Sequence, residues 1–130
     1  MPDHTLVNLL AVEDMGPRFE MPPGLESRFA RGALGLQRSG LTHFRMAPGF
    51  RMPFGHRPDQ EEVYVVLTGG VRARLGDEEP IEMGPMDALC VPPQVVRCLE
   101  AGRDGAEVLA FGAPSTGEND AEVLPGWWGG

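Results

Sequence analysis

The sequence predicts an all-β domain of the sandwich or barrel type, on three observations. Short runs rich in Val, Leu, Tyr and Phe recur at a spacing of about ten residues. The 18 glycines and 13 prolines fall between those runs and punctuate them. No long segment carries the 3.6-residue period of an amphipathic helix. At 130 residues the chain is the size of one domain with one core.

The elements follow in order. Residues 1–40 read as an N-terminal arm of short strands or turns, with Leu25 to Arg31 its best helical candidate. The β domain spans residues 41–112. Its first strand is Leu41 to Met46, closed by the turn Ala47-Pro48-Gly49. Glu62 to Leu67 is β-branched and aromatic, and Thr68-Gly69-Gly70 is read as its end. Val71 to Leu75 alternates, with Val71, Ala73 and Leu75 on one face and Arg72 and Arg74 on the other. Ile81 to Met83, Ala88 to Val91, Val95 to Glu100 and Glu107 to Phe111 complete the set. The run Val63-Tyr64-Val65-Val66-Leu67 is apolar at every position, which predicts cover on both faces and makes a homodimer the economical expectation. Residues 113–130 form a polar tail up to Trp127-Trp128. That pair is expected to dock on the domain or on a partner subunit, or else to serve as a lid.

Charge and composition exclude several classes. A formal net charge of -8 repels phosphate backbones, so no nucleic-acid partner is expected. Every basic residue is arginine, which removes lysine Schiff-base chemistry. No stretch approaches the ~20 apolar residues that span a bilayer, so no membrane partner is expected. The start, MPDHTLVNLL, has no basic stretch before its short apolar run and is a poor signal peptide. The expected location is therefore cytoplasmic. Cys90 and Cys98 make neither a disulfide framework nor a CxxC pair, and read as small apolar strand residues.

At residues 49–69 the sequence reads GFRMPFGHRPDQEEVYVVLTG. This resembles the first conserved motif of the cupin superfamily, G(X)5HXH(X)3-4E(X)6G. Residues 84–101, GPMDALCVPPQVVRCLEA, match the second, G(X)5PXG(X)2H(X)3N, more loosely. The flanks, including VLAFGAP at 108–114, are similar to one group of small single-domain bacterial cupins. The resemblance implies a jelly-roll barrel, the double-stranded β-helix, with an irregular N-terminal segment and a C-terminal tail. It also places a metal site at the barrel centre.

Carried over residue by residue, that site is incomplete. Glu62 falls on the family's metal-binding glutamate and His56 on one histidine of the HXH pair. The second histidine is replaced in His56-Arg57-Pro58, and Arg97 stands where the second motif has its histidine. Gln94 stands at the usual glycine after the proline. His56 and Glu62 are thus the metal candidates, with Asp59, Gln60 or His43 available to complete a set. Two ligands hold a divalent metal weakly. The expectation is no cofactor, with manganese, iron, nickel or zinc as the alternative. The implied fold points Arg97 and Glu62 at one centre, which predicts an internal ion pair in place of a metal.

The expected ligand is a small organic molecule. His56, Glu62, Arg97 and Tyr64 are the catalytic candidates: acid or base, its carboxylate partner, anion or enolate stabiliser, and hydrogen-bond donor. Tyr64 and Val66 share the face of Glu62 by strand alternation. His43, Phe44, Met46, Met52, Phe54 and Gln60 are the further binding candidates, several of them apolar, as small-molecule pockets are. Three functions fit: a metal-independent isomerase, cyclase or dehydratase; a metal-dependent dioxygenase or isomerase with an atypical site; and a binding module without catalysis.

Overall fold

Two long strands organise the molecule. In the computed structural model, which describes residues 3–58, 60–113 and 121–125, these are β4 (Glu62–Leu75) and β7 (Arg97–Gly112). Each was expected as two short strands. Thr68-Gly69-Gly70 does not end β4; the β4–β7 ladder runs through it, with register shifts between Val66 and Thr68 and between Gly69 and Val71. Gly69 and Gly105 both sit at φ 73. A Cβ on Gly69 would fall on the Gly105 carbonyl oxygen, so two glycines let the backbones approach where the ladder bends.

The bend divides the sheet into two halves that share β4 and β7. One half runs β1 (Leu25–Phe29), β2 (Gly40–Met46), β7, β4 and β6 (Ala88–Val91). The other runs β8 (Ala121–Pro125), β3 (Phe54–Pro58), β7, β4 and β5 (Ile81–Met83). Every pairing is antiparallel. The turn of helix α1 (Arg31–Leu34) joins β1 to β2. Both halves face one core. Tyr64, Val66, Val91 and Val108 from the first meet Val71, Ala73, Met83 and Leu99 from the second. Val66, Val91 and Val108 are wholly buried, worth about 1.5–3 kcal/mol each against exposure.

Two expectations are corrected. The jelly-roll barrel is not closed: among the described residues the eight strands form one open sheet, ordered β1-β2-β7-β3-β8 with β4 branching to β5, β6 and β7. Closure would need ladders between edge strands. β5 and β6 have three and four residues, and Pro92-Pro93, with no N–H to donate, follows β6 directly. The outer edge of β1 is occupied by the N-terminal arm through the Asp14–Arg28 bridge. Second, Leu25 to Phe29 is a strand, buried at Leu25 and Ser27 and partly buried at Glu26 and Arg28; the helical turn comes after it. In the all-apolar run of β4, Tyr64 and Val66 are buried, while Val63, Val65 and Leu67 are half-buried within the single chain. That half-covered face is where a second copy was expected. No helix among the described residues is long and apolar enough to cross a membrane.

Candidate functional site

Glu62 opens β4 and Tyr64 follows two residues later, on the same face. Gly112 lies opposite Glu62 in the ladder. A Cβ there would come within 3.2 Å of Glu62 Cγ and 2.9 Å of the Glu61 carbonyl oxygen, so glycine leaves room for the carboxylate arm. Arg97 opens β7 at its far end, paired with Leu75 and His56. Its side chain crosses the interior, and Nη1 donates to Glu62 Oε1 at 2.8 Å. The Tyr64 hydroxyl donates to the same oxygen at 2.6 Å. The internal ion pair expected from Arg97 is therefore present.

The guanidinium is fixed by the loop before it. Arg97 Nε donates to the Val95 carbonyl at 2.8 Å and Nη2 to the Pro92 carbonyl at 2.7 Å. Gln94 between them is left-handed, φ 68, a conformation costing a non-glycine residue about 1–2 kcal/mol. This is the position where the resemblance leads one to expect glycine. The Arg97 side chain is 2% exposed and that of Glu62 23%, so the pair is screened little by water. Burial pushes the Tyr64 phenol far above its ordinary value of 10.0, and the adjacent Glu62 carboxylate pushes it further. The phenol consequently stays protonated and remains a donor.

Of the metal candidates, Glu62 is described with its side chain, and it is already engaged. Glu62 Oε1 already accepts two hydrogen bonds, and a cation beside it would face the Arg97 guanidinium. Among the described residues no group of three His, Cys, Asp or Glu side chains is placed to hold a metal ion. The side chain of His56 lies outside the described part of the structure, as does Asp59.

Arg97 and Tyr64 form the polar end of a cavity of about 310 Å³ whose walls are otherwise mostly apolar, with Phe44, Met52, Leu25 and Leu99 among them. Glu62 itself lines a neighbouring cavity of about 270 Å³, with Arg31 and Thr42; Phe29 belongs to both. A larger hollow, about 700 Å³, lies beneath the N-terminal arm, away from Arg97.

Of the sequence-derived candidates, the 310 Å³ cavity gathers Phe44, Met52, Tyr64 and Arg97. Val66 is wholly buried in the core. Met46, also buried, borders the hollow under the arm. His43 points to the other face of β2, where Nε2 lies 3.0 Å from Glu107 Oε2. Gln60 is half-buried and is not part of the cavity wall. The side chain of Phe54 and residues Trp127-Trp128 lie outside the described part of the structure. The cavity also has residues that sequence reading missed: Phe19, Met21, Leu25, Ser27, Phe29, Cys98 and Leu99. Leu25, Ser27 and Phe29 alternate along β1, and that period of two was the available signal.

No family model matches the chain, and no curated protein matches it. Solved structures do. That of the polyketide cyclase RemF from Streptomyces resistomycificus is similar over 93% of this chain and 84% of that one, at 22% identity and a TM-score of 0.73. A cupin protein from Bacteroides fragilis matches over 89% of this chain and 88% of its own, at 19% identity and a TM-score of 0.69. An RmlC-like cupin from Shewanella frigidimarina matches over 88% and 94%, at 16% identity and a TM-score of 0.68.

Proposed function

We propose, from the cupin-superfamily fold of this single β-rich domain, that the chain binds a small organic molecule in its 310 Å³ cavity and acts on it by metal-independent acid/base chemistry of the isomerase, cyclase or dehydratase type. The observation that carries the reading is the meeting of a guanidinium and a phenol on one carboxylate oxygen, Glu62 Oε1, at the charged end of a mostly apolar wall. Tyr64 faces the carbon beside a ligand carbonyl: the proton leaving that carbon passes to the Tyr64 oxygen as the Tyr64 proton passes to Glu62 Oε1, so no free phenolate forms. Arg97 balances the carboxylate and offsets negative charge that develops on an enolate oxygen. His56 stands directly across from Arg97 in the β3–β7 ladder and is the second acid/base candidate. RemF is a cyclase by name, which favours catalysis on this fold without naming a substrate here.

The test uses exchange and needs no knowledge of the natural substrate. Small neutral ketones are incubated with the protein in deuterated water, and exchange beside the carbonyl is followed by proton NMR. Wild type is expected to accelerate exchange, and Glu62→Gln to lose about a hundredfold or more of that acceleration. Ketone binding without exchange would overturn the catalytic reading in favour of a binding module. Stoichiometric metal in untagged protein grown with manganese, iron, nickel and zinc, measured by plasma mass spectrometry, would overturn metal independence.

A further inference from the structure

The rim of the cavity differs from its floor. Phe19 and Phe29 both belong to its wall, yet they are 59% and 45% exposed. They therefore stand at the mouth, each with one side toward the cavity and one toward water. Their ring centroids are 6.1 Å apart and the planes are inclined at 59°, within the range of tilted aromatic contacts. Phe19 comes from the short turn Pro17–Phe19 of the N-terminal arm and Phe29 from the end of β1. Glu20, left-handed at φ 54, turns the chain so that Phe19 and Met21 on either side of it both reach the cavity. Non-glycine residues in that conformation gather at ligand clamps, where the surrounding structure holds them.

Below the two rings the wall continues with Phe44 and the thioethers of Met21 and Met52, groups that pack favourably on aromatic faces and edges. The charge balance is equally specific. Among the described residues Arg97 is the one charged residue of the wall, and its guanidinium is already matched by Glu62. Among the described residues an anionic ligand would find no uncompensated positive charge and a cation no uncompensated carboxylate, Glu62 being matched by Arg97. A hydroxyl or carbonyl oxygen would find the Tyr64 and Arg97 end. The volume lies at the lower bound for organic-ligand pockets, about 300–1,000 Å³, and suits a compact ring system better than a long chain.

We infer that the cavity takes a neutral, planar aromatic molecule bearing one hydroxyl or carbonyl oxygen, with Phe19 and Phe29 clamping the ring at the mouth. This rests on the assignment of the cavity as the binding site and adds the class of ligand.

Three probes of similar size separate the two levels: naphthol; decalol, its saturated counterpart; and naphthoate, an anion. Affinities are measured by isothermal titration calorimetry on the full chain, with thermal midpoints read alongside. Naphthol is expected to bind about tenfold more tightly than decalol and naphthoate. Phe19→Leu and Phe29→Leu should each weaken naphthol about three- to tenfold and leave decalol unchanged. Should Phe29→Leu lose its fold, Phe19→Leu, on the more exposed ring, carries the test. Equal binding of naphthol and decalol, or indifference of naphthol to either substitution, overturns the clamp and leaves the cavity assignment standing. Naphthoate binding most tightly overturns the neutral ligand. Binding of none of the three overturns both the clamp and the cavity assignment.

Discussion

Arg97 shows how one residue redirects a site. Its position in the second motif leads one to expect a histidine, and histidine there would join a metal set. Arginine cannot ligate and never loses its charge, so it takes the carboxylate for itself and anchors to the Val95 and Pro92 carbonyls. The energetic consequence is asymmetric. Arg97→Met leaves the Glu62 carboxylate without its counter-charge and two carbonyls without their donor. The expected loss is about 3–5 kcal/mol in urea denaturation, or roughly 10 °C or more in midpoint. The double variant Arg97→Met/Glu62→Leu removes both charges and is expected to recover at least about 2 kcal/mol of that loss, the carbonyls remaining unmet. A double variant no more stable than the single one would show that the pair does not hold the site together. This pairing was legible because two spaced motifs put Glu62 and Arg97 at one centre. The apolar wall was legible only in part, since which methionine lines a cavity and which fills a core depends on sheet curvature that residue identity does not encode.

At the scale of elements, the N-terminal arm matters more than its irregular sequence suggests. Asp14 ties it to β1: its Oδ1 accepts from the Gly16 and Ser27 amides at 2.9 Å each, and Met15 N donates to Ser27 O at 2.7 Å. Those two amides hold the Asp14 carboxyl below its ordinary value of 3.8, the nearby Arg28 adding to the effect. A carboxylate whose folded value is depressed contributes stability above its unfolded value, near pH 4, and loses it as pH falls through the folded one. Asp14→Asn should therefore lower the thermal midpoint at pH 6, with the gap to wild type narrowing as pH drops below about 4. A gap independent of pH between 6 and 3 would mean that the charge of Asp14 plays no part. The same arm supplies Phe19 and Met21 to the cavity, so anchoring and binding share one segment. Sequence reading placed the strands of β2, β5 and β6 well because turn residues bound them closely. It misread β1 because LESRF is followed at once by the helical turn Arg31–Leu34, and a window spanning both blurs a period of two into something near 3.6. It also split β4 and β7, since glycines that usually end a strand here let two strands cross closely and continue.

At the scale of the whole molecule, the open sheet predicts an uneven distribution of stability. A closed barrel has no edges, and its amides would be protected all round. Here β4 and β7 have partners on both sides, whereas β1, β5, β6 and β8 stand at the margins of the described sheet. The central ladder joins residues far apart in sequence, Glu62 with Gly112 for example, so it forms late relative to local turns and the domain should fold in milliseconds to seconds, not microseconds. Once formed, it opens only with the whole molecule. Native-state hydrogen exchange is therefore expected to show the β4 and β7 amides exchanging last, at the free energy of global unfolding. Outward-facing amides of β5 and β6 should exchange faster by orders of magnitude. β1 should fall between, because the arm bridges its outer edge through Asp14 and Met15, and Asp14→Asn should move β1 toward the fast group while leaving β7 unchanged. Uniform protection across β1, β4, β5 and β7 would indicate that the margins are covered in solution. A β1 rate unmoved by Asp14→Asn would show that the arm does not seal that edge, and would remove its structural link to the cavity mouth.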